Sequence, residues 1–259
     1  MDLGIKGKVA LVTGGSRGLG RASALALAKE GAAVAICARG EDKLKETAAE
    51  LRACGVRAEG YTSDLADKAA PAKLLADVER DLGQVDILVN NVGGSLGTRD
   101  ALSSSEEDFV KVMDINLWSA VRLMKLAVPK MQLRRWGRVI NISSIYGREW
   151  GGPSAPYMTA KASMIAVSKH VALSVVKDGV TVNSVAPGSV LFPGGGWERF
   201  MKTSTRPVVE EFIARNLPMG KFGSPEPVGA TVAFLASSQA DLITGACINV
   251  DGGQSHNLY

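Results

Sequence analysis

Cysteine is scarce in this chain: Cys37, Cys54 and Cys247 are the only three in 259 residues. The count is odd, the positions are scattered, and no C-x-x-C occurs. That excludes a disulfide framework and points to reduced thiols in a cytoplasmic compartment. Histidine is scarcer still, at two residues, and no metal site is expected. No apolar run reaches the roughly 18 residues that a membrane span needs. The opening Met1-Asp2-Leu3-Gly4-Ile5-Lys6 lacks a signal-peptide pattern. A strong charge of one sign is missing too: 30 Lys and Arg against 26 Asp and Glu leave +4. The one basic cluster, Arg134-Arg135-Trp136-Gly137-Arg138, reads as a solvated loop. Neither nucleic acid nor a membrane is therefore expected as a partner. Internal repeats, low-complexity tracts and linkers are absent, which implies a single domain over 1–259. Aromatic residues make up only 5% of the chain, so any place that gathers them matters.

Glycine, by contrast, is plentiful, at 29 residues. That is about 11%, against a usual ~7%. A glycine inside a helix or strand costs roughly 0.5–1 kcal/mol relative to alanine. The excess therefore belongs in turns, or where backbone approaches a ligand. Between the glycines, short apolar runs alternate with amphipathic stretches. Strands are predicted at 9–13, 34–37, 58–62, 86–90, 138–142, 180–185 and 247–250. Helices are predicted at 19–29, 42–54, 69–82, 106–132 (interrupted or bent near Pro129), 156–177 and 226–237. Such alternation implies an α/β fold: a doubly wound, Rossmann-type parallel sheet of seven strands, covered by helices on both faces. Only 189–217 breaks the rhythm. An insert of that length, with Pro193-Gly194-Gly195-Gly196 inside it, reads as a substrate lid.

The first strand runs directly into Thr13-Gly14-Gly15-Ser16-Arg17-Gly18-Leu19-Gly20. Glycines there let backbone N–H groups reach a pyrophosphate at the helix N-terminus, whose dipole favours anions. Gly20 lets the helix pack closely. Gly14, Ser16, Arg17, Gly18, Leu19 and Gly20 are the candidate contacts. A nucleoside-triphosphate loop would need Gly-Lys-Ser/Thr at its end, but Arg21-Ala22 follows Gly20. The run Gly14-Gly15-Ser16-Arg17-Gly18 also matches the G-x-S-x-G elbow of serine hydrolases. That reading needs a histidine base, and His170 (mid-helix) and His256 (three residues from the end) are poor candidates. At the end of the second strand, dinucleotide folds that choose NAD place Asp or Glu to bind the ribose 2′-OH. This strand ends Cys37-Ala38-Arg39. Arg39, with Arg17, offers guanidinium donors suited to a 2′-phosphate. NADP(H) is favoured, while Glu41 keeps NAD(H) open.

Of the tyrosines, only Tyr157 has a lysine four residues on, Lys161. On a helix the two share a face. A phenol, of pKa about 10, becomes a usable acid/base when an ammonium favours its phenolate. This pair stands among further motifs: Asp64-Leu65, Asn90-Asn91-Val92-Gly93, Asn116, Ser143-Ser144, Asn183 and Pro187-Gly188. Together with the glycine loop and Tyr157-x-x-x-Lys161, in this order and spacing, they resemble the short-chain dehydrogenase/reductase family, from Lys8 to Gly253.

The resemblance implies an oxidoreductase that interconverts a carbonyl and an alcohol by hydride transfer. Tyr157 is then the general acid/base, with Lys161 lowering its pKa and binding the nicotinamide ribose. Ser144, 13 residues before Tyr157, orients the carbonyl, and Asn116 holds a water. Asp64, Leu65, Asn90, Asn91, Gly93, Pro187, Gly188 and Val190 line the cofactor. Two positions depart from the family pattern: Val92 stands for the usual alanine, and Phe192 for a threonine that binds the cofactor. Substrate contacts are expected from Ser95, Tyr146, Trp150 and Trp197, with Phe200 and Met201 nearby. These suit an apolar or ring-bearing substrate. A homotetramer, or a homodimer, is implied by the family habit. The alternatives are an NAD-dependent alcohol dehydrogenase of the same fold and a catalytically silent dinucleotide-binding protein.

Overall fold

A computed structural model describes residues 2–152 and 154–258. Its seven strands are β1 Val9–Thr13, β2 Ala33–Ala38, β3 Ala58–Thr62, β4 Ile87–Asn90, β5 Gly137–Ile142, β6 Val180–Pro187 and β7 Cys247–Val250. They form one parallel sheet in the order β3-β2-β1-β4-β5-β6-β7. β1, β4, β5 and β6 are buried along their whole length, as expected of parallel strands covered on both faces. The helices are α1 Gly18–Lys29, α2 Glu41–Ala53, α3 Ala70–Asp81, α4 Glu106–Met113, α5 Ser119–Leu133, α6 Ala155–Val175, α7 Gly196–Thr203, α8 Arg206–Asn216 and α9 Glu226–Ala236.

Alternation along β1 divides the core in two. Ala10 and Val12 join α1, α2 and α9 on one face, through residues such as Leu27, Leu51 and Val232. Val9 and Leu11 join α3, α5 and α6 on the other, through Leu74, Leu123 and Ala172. Each fully buried Leu or Ile contributes roughly 1.5–3 kcal/mol, so both layers are held to the sheet. The strand order reverses between β1 and β4. A crevice opens there, beyond the carboxyl ends of the strands, and ligands bind in this position in such sheets.

Three local expectations are corrected. The helix predicted over 106–132 is not interrupted at Pro129, which lies inside α5. Its irregularity is a π-helical turn, Asp114–Trp118. The Asn116 amide explains it: Nδ2 donates to the Val112 carbonyl (2.9 Å) and to the Gly94 carbonyl (2.9 Å), and Oδ1 accepts from the Gly94 N–H (2.9 Å). The segment after β6 is not one irregular insert, because it contains α7 and α8. They are pinned by an aromatic cluster in which Trp197 lies 5.7, 4.8 and 5.3 Å from the Phe200, Phe212 and Phe222 rings. The basic cluster is not simply a solvated loop. Arg138 is only 3% exposed and pairs with Asp241. Its guanidinium lies 4.5 Å from the Trp136 ring centroid, with Lys8 at 4.0 Å.

Candidate active site

The glycine loop is held from below by two side chains. Thr13 Oγ1 accepts from the N–H groups of Asn91 (2.8 Å) and Val92 (3.1 Å). Asn91 Nδ2 donates to the carbonyls of Thr13 (2.9 Å) and Gly14 (3.3 Å). Gly14 has φ +65°, and a Cβ on Gly20 would overlap the Gly14 carbonyl. Both positions therefore require glycine. The first turn of α1 has no acidic residue and no side-chain cap. Its N–H groups are left for an anion.

The loop forms one end of a cavity of about 710 Å³. Gly14, Ser16, Arg17 and Leu19 line it, as do Arg39, Asp64, Leu65, Asn91 and Gly93. Gly18 does not; the Phe192 ring lies over it, within 2.6 Å of where a Cβ would stand. Arg39 is exposed at the end of β2. Arg17 Nη1 donates to the Gly194 carbonyl at 3.2 Å. Glu41, the residue that kept NAD(H) open, sits outside the lining and pairs with Lys45 at 2.6 Å. Asn90 is buried in the sheet, donating to Asn141 Oδ1 at 2.8 Å, and does not reach the cavity.

At the other end, Ser144, Tyr157 and Lys161 line the same space with Pro187, Gly188 and Val190. Ser144 follows β5, and its Oγ accepts from the Tyr146 N–H at 3.2 Å. Tyr157 stands in the first turn of α6, whose start is capped by Ser154 Oγ accepting from the Tyr157 N–H at 3.2 Å. Lys161, one turn on, is 3% exposed; its Nζ donates to the Ile142 carbonyl at 2.8 Å and lies 5.6 Å from the Tyr157 ring centroid. Ser143 Oγ fixes the Lys161 carbonyl at 2.9 Å. Burial pushes Tyr157 up to about 12, opposed by a hydrogen bond from the Ser144 hydroxyl. Burial pushes Lys161 down to about 8. At neutral pH the phenol is therefore a proton donor, and the amine is still largely an ammonium. Asn116 does not line the cavity, but a Cβ on Gly93 would collide with its Oδ1 and come within 3.1 Å of Lys161 Nζ. Asn116, Gly93 and Lys161 thus form one packed unit.

A family model described as Enoyl-(Acyl carrier protein) reductase matches residues 14–255. The 3-oxoacyl-[acyl-carrier-protein] reductase of Haemophilus influenzae is 36% identical, over 96% of this chain and 98% of its own. The chain belongs to the short-chain dehydrogenase/reductase family. The corresponding Escherichia coli reductase is 37% identical, over 97% and 98% of the two chains. A structure of L-sorbose reductase from Gluconobacter frateurii, complexed with NADPH and L-sorbose, superposes with TM-score 0.93 at 32% identity, each chain fully covered. An actinorhodin polyketide ketoreductase variant with NADPH gives 0.89 at 35% identity, over 96% and 98%.

Within this short-chain dehydrogenase/reductase, the expected substrate contacts divide. Ser95, Tyr146 and Trp197 line the cavity. Tyr146 is clasped by backbone: a Cβ on Gly151 or Gly152 would lie 2.5 or 2.8 Å from opposite edges of its ring. The neighbouring Trp150 is 90% exposed and does not line the cavity. Phe192, Lys43 and Arg199 also line the space, and sequence reasoning did not place them there as contacts. Among the described residues, no helix is long and apolar enough to cross a membrane.

Proposed function

We propose that the chain is an NADP(H)-preferring reductase that converts a ketone or aldehyde to an alcohol, and the reverse. The observation that carries this is one cavity with the neutral, half-buried Tyr157 phenol beside Ser144 at one end, and Arg39, with Arg17 nearby, at the other. The bare glycine loop suits the pyrophosphate, and the guanidinium of Arg39 suits a 2′-phosphate. The place of Glu41 outside the lining weakens the NAD reading. A bound reduced nicotinamide supplies the hydride. Ser144 Oγ would orient the carbonyl oxygen, and Tyr157 Oη would give that oxygen its proton. Tyr157 would be left as a phenolate, which the Lys161 ammonium would stabilise until solvent restores the proton. Asn116 positions Lys161 through Gly93.

The substrate would lie between Tyr146, Ser95 and Trp197, beneath a lid over 189–217. These side chains suit an apolar or ring-bearing carbonyl compound. The free thiols of Cys37, Cys54 and Cys247 support a reducing, cytoplasmic setting. Exposed Val110 and Trp118 on one face, and Leu173 and Val176 on α6 and its end, support self-association as a homotetramer or homodimer.

The test is a panel of ketones and aldehydes, reduced with NADPH and with NADH. The proposal expects turnover with kcat/KM at least tenfold higher for NADPH. A preference for NADH, or no turnover across the panel, overturns it.

A further inference from the structure

The lid carries a cation with no partner of its own. Arg199 lies in α7, just past the Gly194-Gly195-Gly196 run, and lines the cavity. Among the described arginines, only Arg39, Arg99 and Arg199 have no side-chain hydrogen bond or ion pair. Two of these three, Arg39 and Arg199, line the same space. The charged lining as a whole is Arg17, Arg39, Lys43, Lys161 and Arg199 against the single carboxylate of Asp64. The entire chain carries only +4, so positive charge is concentrated where a polyanion would lie. Nearby charges of this kind raise local anion concentration and affinity.

Arg39 stands at the β2 end and Lys161 is committed to the Ile142 carbonyl. The glycine loop and the lid both line the cavity, and the Gly194 carbonyl of the lid accepts from Arg17 of the loop. At the lid position where a polar side chain would help, Phe192 covers Gly18 with a ring that has no donor. Arg199 is the only charged lid side chain in the lining.

We propose that Arg199 is the lid's anion-binding residue, and that it takes the pyrophosphate of the bound dinucleotide. This rests on the functional reading above. A carboxylate or phosphate on the substrate offers the same oxyanion chemistry and is the other source.

The experiment titrates NADPH, followed by its own fluorescence, into the wild type, Arg199→Ala and Arg199→Lys. Melting temperatures check the fold, and should not move because Arg199 has no partner to lose. The proposal expects Arg199→Ala to weaken NADPH about tenfold and Arg199→Lys to recover part of it, through a point charge without the fork of arginine. Adding salt should narrow the gap. The fragment 2′-AMP, which lacks the pyrophosphate, should bind both variants as it binds the wild type. Suppose instead that NADPH affinity is unchanged, but KM rises about tenfold for the monoethyl ester of 3-oxoadipate and not for the diethyl ester. The anion is then the substrate's. Unchanged NADPH affinity with unchanged discrimination between the esters overturns the role of Arg199. Failure of the wild type to bind NADPH would sink the functional reading itself, and Arg199 with it.

Discussion

Arg39→Ala should change cofactor choice without changing stability. In the structure Arg39 is exposed, lines the cavity and holds no partner. Truncating it breaks no contact, so its effect on folding should stay within about 0.5 kcal/mol. Its work begins when a 2′-phosphate arrives. A hydrogen bond to a charged group contributes about 1.5–3 kcal/mol, and exposure to solvent places Arg39 at the low end of that range. About 1.5–2 kcal/mol corresponds to a 10- to 30-fold loss, since about 1.4 kcal/mol is tenfold. Arg17 remains to hold part of the phosphate, once it exchanges the Gly194 carbonyl for it. The assay compares dissociation constants of NADPH and NADH for wild type and variant, at low and high salt. NADPH should weaken 10- to 30-fold, NADH less than twofold, and the difference should shrink as salt screens the charge. Equal weakening of both cofactors would refute the reasoning, because it would place Arg39 away from the 2′-phosphate.

Two further predictions concern the frame of the site. Lys161 is pushed from 10.5 down to about 8 by burial. Between those values the unfolded chain holds a proton that the folded chain has released, so stability rises with pH across that window. The gain is about 3 kcal/mol at 1.36 kcal/mol per unit; Lys161→Met should abolish that part of the rise in denaturant unfolding followed from pH 7 to 10, and an unaltered profile would count against it. Gly20→Ala forces a Cβ onto the Gly14 carbonyl. It should cost at least 1–3 kcal/mol, as overpacking does, and lower NADPH affinity together with the melting temperature; a silent substitution would show that the loop is looser than described.

Much of the fold was legible because its signals are local. β1 is a short apolar run, β5 and β6 are rich in Val and Ile, and the glycines and charged turns between strands mark where helices start and stop. What was not legible depends on contacts distant in sequence. The π-helical turn arises because the Asn116 amide reaches Gly94, 22 residues away. Nothing in the pattern of 106–132 announces that, whereas Pro129, a visible breaker, lies inside continuous α5. That Trp150 is exposed while Tyr146 is packed between Gly151 and Gly152 is not announced by the composition of that segment. Arg138 looked like surface charge, but Trp136 and Asp241 hold it inside. In the site, Tyr157 and Lys161 could be paired from helical spacing alone. The desolvation that moves their proton affinities in opposite directions could not, since it depends on burial.

The central claim is that Tyr157 delivers the proton to the carbonyl oxygen. A single-turnover measurement tests it most directly: NADPH oxidation by a reactive ketone of the panel, in wild type and Tyr157→Phe, with the NADPH dissociation constant measured alongside. Removing one hydroxyl leaves the ring and its packing in place, so NADPH should bind within about twofold of wild type. The chemical step should slow by roughly 10²–10⁴, the usual contribution of a positioned acid. A variant that binds NADPH normally and reduces the ketone at the wild-type rate would contradict the account.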